Sequence, residues 1–384
     1  MHRYFVYKYE PTKQAEGESF MIGKIILDLA PTPKNRRNSE GSFIHLKNGD
    51  ILFAYSRYAD KSWADDANAD IYAVVSNDNG ESFSEPFLLY SHKTVKAQNI
   101  MAASLYRFKN GDLGLMFLAK FGNGLCLPLL VRSADDGKTW SEPVKCYAEE
   151  DYYCVVNDRI IEGENGRLLI PASRHKVTKW HVVDGESRVL DIDRGTLSVF
   201  GSDDDGRTWQ ALKEGIGIPL SRGLTSGMAE PGLVSMGGGK LWCYTRTNGG
   251  RQYECFSNDN GYNWTEFSPS WFTSPDAPMS VKRLSDGRLL AVWNPVPKYN
   301  GRPDKVDGVL TLCRTPFVMA VSDDNGETFK NMKILEDDPK SGYCYTAILE
   351  TADGCVLLGY SAGGTGDACC LNRQRIRKIS LSEI

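Results

Sequence analysis

The sequence predicts an all-β fold, a six-bladed β-propeller with four antiparallel strands per blade. Three observations carry this. Six Asn-Gly, Asp-Gly or Gly-Gly turns each precede an apolar strand-like run, five near-copies of Ser-x-Asp-x-Gly-x-x-aromatic recur along the chain, and helical periodicity is nearly absent. A fixed recurring unit constrains the fold before any single motif does.

The first family of turns is read from LKNGDILFAY (Asn48-Gly49), FKNGDLGLMFL (Asn110-Gly111), GENGRLLIPA (Asn165-Gly166), SMGGGKLWCY, LSDGRLLAVW (Asp286-Gly287) and TADGCVLLGY (Asp353-Gly354). Such pairs accept the positive φ that a two-residue hairpin requires, so each predicts a hairpin. After each of the first five comes another strand pattern: ADIYAVVS, LPLLVRS, TLSVFGS, QYECFS and FVMAVS. These run into the Ser-x-Asp turns at Ser76, Ser133, Ser202, Ser257 and Ser322. The unit is strand, tight turn, strand, longer loop, strand, Ser-x-Asp turn, short strand, and six units describe a propeller. The sixth lacks the Ser-x-Asp turn and offers only three strands. The apolar segment GKIILDLA, Gly23 to Ala30, is the expected fourth strand closing the last blade, which leaves no strand edge open there. One domain over residues 1–384 is expected, with 1–22 as an N-terminal extension.

Within the Ser-x-Asp turn, Gly accepts positive φ while the Ser hydroxyl and Asp carboxylate bond nearby backbone N–H groups. The terminal aromatics Phe83, Trp140, Trp209, Trp264 and Phe329 are expected to pack between blades. The strings lack the bidentate Glu and ligand spacing of a calcium loop, so a structural role is expected and no metal.

Composition narrows the function classes. A hydrophobic share of 41% with 24% charged residues fits a soluble globular chain. A net charge of −4 without any Lys/Arg run argues against nucleic acid as a partner, and no apolar run reaches bilayer-spanning length. The opening MHRYFVYKYEPTKQ lacks the apolar core of a secretory signal. Ten cysteines contain no CxxC pair, and Cys369-Cys370 are adjacent, so reduced thiols and a cytoplasmic location are expected.

The repeated phrase S-x-D-x-G-x-T-W resembles the Asp box of the sialidase (neuraminidase) superfamily, and the resemblance covers the chain from about Pro31 onward. It implies a six-bladed propeller with an axial active site. It also implies a retaining exo-glycosidase that needs no cofactor and takes a terminal acidic sugar from a glycan. The family's site has three arginines on the substrate carboxylate, a Tyr nucleophile with a Glu partner, and an Asp acid/base.

Carried over residue by residue, MAEPGLVSMGGGKLWCYTR is similar to the family's fourth blade and supplies Glu230 and Arg246. CRTPFVMAVSDDNGETF supplies Arg314, and GYCYTAILETADG supplies Tyr345 followed by Thr346, with Tyr343 if the register shifts. A phenol suits a substrate whose anomeric carbon bears a carboxylate, because it approaches near-neutral and becomes anionic only as it bonds. The acid/base is expected in the loop SRYADKSWADDANADIYAVVS, which holds Asp60, Asp65, Asp66 and Asp70. Counting back from Ser76 favours Asp65, with Asp66 next.

The first arginine departs from the pattern. Where the family writes Arg-Ile-Pro, this chain writes RRNSEGSFIHL, with Ser39 in register, Arg36 and Arg37 just upstream and Glu40 just downstream. Arg37 is the candidate to reach in, and an inward Glu40 would repel a carboxylate at low dielectric. EDYYCVVNDRIIE adds Tyr152, Tyr153, Asn157, Asp158 and Arg159 as substrate-pocket candidates, with His175 nearby. Two rivals share the fold: an exo-glycosidase on another sugar, exo-arabinanase-like, using Glu230 and a carboxylate such as Glu40, and a non-catalytic glycan-binding propeller.

Overall fold

The computed structural model describes residues 21–384 apart from 60, 61, 123, 184, 185, 299 and 300. The N-terminal extension, other than Met21 and Ile22, and the candidate Asp60 lie outside the described residues. The architecture is all-β, and the helices among the described residues are two single 3-10 turns.

The first unit is a four-stranded antiparallel sheet of Arg37–His45, Ile51–Tyr58, Ala69–Ser76 and Phe87–Tyr90. The fourth unit is built likewise from Ala229–Gly237, Lys240–Arg246, Arg251–Ser257 and Ser268–Thr273. The fifth uses Ser280–Arg283, Leu289–Trp293, Phe317–Ser322 and Lys330–Glu336. In the sixth, Cys344–Glu350, Cys355–Ser361 and Gln374–Ser380 are joined by Lys24–Leu29, which pairs antiparallel with the last strand. The second strand of each unit is mostly buried because both faces are covered. Ile51–Tyr58 and Leu113–Lys120 are buried at nearly every position.

The expectation of six separate four-stranded blades closed into a propeller is corrected by the sheet topology. Among the described residues no sheet is closed, no six-bladed closure is found, and the second and third units share one nine-stranded sheet. Tyr152–Cys154 makes the join, pairing parallel with Cys126 and antiparallel with Ser173–His175. The physical reason lies in the residue before it: the Cys126 N–H of the second unit donates to the Asp151 carbonyl at 3.1 Å. The strand that opens the third unit therefore bonds to the second as well.

Apolar clusters between sheets fix the units against one another. Ile44, Leu52 and Ala54 pack with Ile100, Leu115 and Phe117. Val234 and Trp242 pack with Leu289 and Val318, and Phe53 and Val74 with Ala347 and Leu357.

All five Ser-x-Asp turns adopt one hydrogen-bonding pattern. The Ser hydroxyl donates to the Asp carboxylate at 2.7–2.9 Å and accepts the Gly N–H at 2.7–3.0 Å. The residue before each Gly, Asn79, Asp136, Asp205, Asn260 or Asn325, has φ of 56–60°, a conformation that Asn and Asp tolerate. Trp140 Nε1 bonds the Leu89 carbonyl at 3.2 Å, tying the second unit's turn to the first unit's outer strand. Because Ser76 pairs with Ile51 beside the Asn48-Gly49 hairpin, the Ser-x-Asp turns and hairpins share one end of each sheet. The other end carries the site.

Candidate functional site

The site is assembled by a recurring fault in the first strands. The pairing with the second strand slips between Ser39 and Ser42, Met101 and Ser104, Ala229 and Gly232, and Cys344 and Ala347. At each slip sits a non-glycine with positive φ: Glu40 at 58°, Ala102 at 58°, Glu230 at 50° and Tyr345 at 58°. A bulge inserts one residue, bends the strand and re-aims its side chain. Left-handed backbone at Glu or Tyr is strained and persists only where the surroundings impose it.

Two of these residues meet. The Tyr345 hydroxyl donates to Glu230 Oε1 at 2.7 Å, while Arg246 Nη1 donates to Glu230 Oε2 at 2.7 Å. Arg246 is shared with Asp276, which accepts from its Nε at 2.5 Å. The Arg314 guanidinium lies 5.5 Å from the Tyr345 ring centroid and donates to the Asp276 carbonyl at 3.2 Å. Burial and the Glu230 charge push the Tyr345 phenol well above its ordinary range, outweighing Arg314 and Arg246, so it rests protonated.

A second cluster centres on Arg37, which is 1% exposed. Its Nη1 donates to Asp65 Oδ1 at 2.5 Å, its Nη2 to Glu40 Oε1 at 2.8 Å, and its guanidinium lies 4.6 Å from the Tyr58 ring centroid. Lys120 Nζ and Asn99 Nδ2 both donate to the Asp65 carbonyl, at 2.9 and 2.7 Å. Crowding by protein atoms opposes the Asp65 charge, but Arg37 and Lys120 prevail and hold its carboxyl at about 2. Burial pushes Glu40 the other way, to about 7, with Arg37 resisting and the Asp65 and Glu230 charges assisting. Two neighbouring carboxyls are thus driven apart by their surroundings.

Cavities flank the clusters. One of about 410 Å³ is lined by Asp65, Asp66, Gln98, Lys120, Tyr152 and Asp191, and one of about 310 Å³ by Arg246, Asp276, Lys298, Asp304 and Arg314. A larger cavity of about 990 Å³, lined by His45, Arg107, Asp158 and Arg283, holds none of the clustered groups.

The structure brings Tyr345, Glu230, Arg246, Arg314, Arg37, Glu40 and Asp65 to one region and sets Asp66 in the adjoining cavity wall. Arg36 is exposed, and Ser39, in the register of the missing arginine, contacts Ser361 Oγ at 3.2 Å. Asp70 instead accepts from the His92 backbone N–H at 2.7 Å. Tyr153 is not brought to the cluster. Its ring packs with Tyr147 and Phe200, and its hydroxyl bonds the Glu149 carbonyl. Tyr343 likewise stacks among Phe317 and Tyr360. Arg159 is buried against Met279 and Ser280, and Asp158 accepts from Ser42. Asn157 has a joining role, donating to both the Gly41 and Tyr345 carbonyls. His175 is buried between Ser173 and the Asp193 carbonyl.

Sequence reasoning missed Asp276 and Lys120. Asp276 lies in the Ser-Pro-Asp-Ala-Pro loop ahead of the fifth unit, where the prolines signal a fixed turn but not its direction. Lys120 ends a buried strand, and a lysine in that position is a readable signal, since one so placed needs a partner.

This is an all-β repeat protein whose bulged first strands converge a phenol, carboxylates and guanidinium groups at one end. Residues 105–358 match the model of the BNR repeat-like domain, about two thirds of the chain, and the chain belongs to that family. No curated protein matches it. Among solved structures it is similar to the Hadza microbial sialidase Hz136, at TM-score 0.68 and 17% identity over 91% of this chain and 67% of that one. It is also similar to a protein of unknown function from Dyadobacter fermentans, at TM-score 0.65 and 18% identity over 93% and 99%. The NanB sialidase from Streptococcus pneumoniae aligns at TM-score 0.67 and 13% identity over 94% and 71%. At such identities these likenesses show the fold alone.

Proposed function

We propose that the chain is a retaining exo-glycosidase of sialidase type acting on the terminal, acidic sugar of a glycan. The observation that carries this reading is the Tyr345–Glu230 hydrogen bond of 2.7 Å, with Arg246 on the carboxylate's other oxygen. A phenol so held is a poor nucleophile until Glu230 takes its proton, which can happen as the oxygen bonds to the anomeric carbon. Arg246 and Arg314 face the same space and suit anionic or hydroxyl-rich groups. Asp65, beside Arg37 and in the wall of the adjoining cavity, is the group this scheme takes as acid and base for the leaving oxygen.

A second reading is favoured by Arg37 itself. It is already paired with Asp65 and Glu40, which leaves it little capacity for a substrate carboxylate and suits a neutral terminal sugar. A panel of 4-methylumbelliferyl glycosides, with sialoside and arabinoside among them, separates the two. Release from at least one, lost in Tyr345→Phe, is the expected result. Release unaffected by that substitution would exclude Tyr345 as nucleophile, and no release from any would favour a glycan-binding role.

A further inference from the structure

We propose that the cavity of about 410 Å³ beside Asp65 receives the leaving group, and that Asp191 and Ile192 of a β-ribbon select a neutral, hydroxyl-rich sugar there over an acidic one. The proposal rests on the glycosidase reading, in which Asp65 serves the leaving oxygen.

The cavity is built from connections between second and third strands. Asp65 and Asp66 come from that loop in the first unit, Phe121 and Leu125 from it in the second, and Asp191 and Ile192 from it in the third. The cavity of about 310 Å³ draws on the same connections in the fourth and fifth units, through Asn248, Gly250, Lys298 and Asp304. The two share no lining residue. The Tyr345–Glu230 pair stands between them. Glu230 bonds Arg246 in the wall of the smaller cavity. Asp65 connects to the Tyr345 bulge through Arg37, Glu40 and the Asn157 amide, which donates to both the Gly41 and Tyr345 carbonyls. A sugar held over Tyr345 by Arg246 and Arg314 therefore lies toward the smaller cavity, and what is released at Asp65 departs into the other.

The third unit's connection runs from Leu168–His175 to Thr196–Ser202 and carries a ribbon of its own. Val177–Val183 and Glu186–Ile192 pair antiparallel with each other and with no other strand among the described residues. Its base is tied to the body of the unit. The Asp193 N–H donates to the Lys176 carbonyl at 2.9 Å, and the His175 ring bonds the Asp193 carbonyl at 2.9 Å. Asp191 and Ile192 thus stand at a fixed edge of the cavity.

The lining suits a sugar. Tyr152 and Ile192 supply apolar surface for the face of a pyranose, and polar groups surround it, as in small-molecule pockets of roughly 300–1,000 Å³. Lys120, 9% exposed, donates from Nζ to the Asp65 carbonyl at 2.9 Å. An ammonium has three donors, so hydroxyls can take the others. Charge sets the selection. Asp65 is paired with Arg37, so among the described residues of the wall Asp66 and Asp191 face the single ammonium of Lys120. A wall with excess carboxylate accepts from hydroxyls and repels an anion. The smaller cavity has the opposite balance, with Arg246, Lys298 and Arg314 against Asp276 and Asp304. One side fits an acidic terminal sugar and the other a neutral sugar that carries it.

The test uses three substrates of the terminal sugar that wild type accepts: its glycosyl fluoride, its glycoside on glucose and its glycoside on glucuronic acid. The two glycosides differ only in a carboxylate, and kcat/KM for each is divided by that for the fluoride, whose leaving group is too small to touch the ribbon. Wild type should prefer the glucose leaving group by about tenfold or more. Asp191→Lys should bring the two within about threefold of each other. Ile192→Trp, which fills the cavity, should lower both ratios by about tenfold. Both residues are exposed, and a ratio to the fluoride cancels any loss of folded enzyme. Unmoved ratios in Ile192→Trp, unchanged selectivity in Asp191→Lys, or a wild-type preference for glucuronic acid would each overturn the proposal and leave the glycosidase reading intact. Wild type inert on the fluoride and on both glycosides would overturn both.

Discussion

The two ends of these sheets repeat different things. At the turn end, five Ser-x-Asp turns repeat both residue types and hydrogen bonds, and the left-handed residue before each Gly is always Asn or Asp. At the other end, four bulges repeat only the backbone, while the residue on them changes from Glu40 to Ala102, Glu230 and Tyr345. The first kind of repetition chooses side chains that suit the conformation. The second forces the conformation on side chains that do not, and there the chemical groups meet. Stability and reactivity should therefore separate by end of sheet.

The largest expected effect tests that separation directly. Tyr345→Phe should lower turnover by on the order of a thousandfold or more while the thermal midpoint moves by less than about 2 °C, read by steady-state assay and scanning calorimetry. A large drop in Tm would assign the phenol to packing.

The next is a pH effect confined to the bulge end. Glu40 rises from its ordinary 4.5 to about 7 in the folded chain, so the native state binds its proton more tightly than the unfolded state does. Its contribution is whole below pH 4.5 and is lost as pH climbs through 7, a span of about 3 kcal/mol. Urea unfolding of wild type should weaken over that window relative to Glu40→Gln, and parallel curves would contradict the assignment.

A smaller loss is expected at the turn end. Asp204 accepts from the Ser202 and Thr208 hydroxyls and from the Arg207 and Thr208 N–H groups. Asp204→Ala should lower stability by about 1 kcal/mol, since the turn is half in solvent, and leave turnover unchanged. The smallest effect separates strain from packing. Ala→Gly in an extended strand costs about 0.5–1 kcal/mol, but at Ala102, with φ of 58°, relief of strain should cancel it. Denaturant melts of Ala102→Gly and of Ala54→Gly, whose backbone pairs normally with Ala73, should differ by about that amount.

What could be read from the sequence follows the same division. The hairpins and Ser-x-Asp turns were legible because Asn, Asp and Gly state their backbone needs in their identity. The meeting of Tyr345 with Glu230 was reached only through family resemblance, because nothing in Glu-Pro or Tyr-Thr announces a left-handed bulge. The fusion of the second and third units was invisible, since it depends on the Cys126 N–H finding the Asp151 carbonyl as its acceptor. The opposed states of Glu40 and Asp65 were hidden too. They arise from Arg37, Lys120 and burial acting together, and Lys120 is remote from both in sequence.

The pairing of Lys24–Leu29 with Gln374–Ser380 has a consequence for how the chain acquires its structure. Arg373 reaches Asp28 across 345 positions, so this contact closes a loop of that length. On the ribosome the early strand must wait for those 345 positions to be made before its partner exists. Loop closure grows dearer only slowly with length, so the wait is a matter of time more than of free energy. Until then the exposed edge of that strand is open to other chains, and crowding of nascent copies is the hazard that this topology carries.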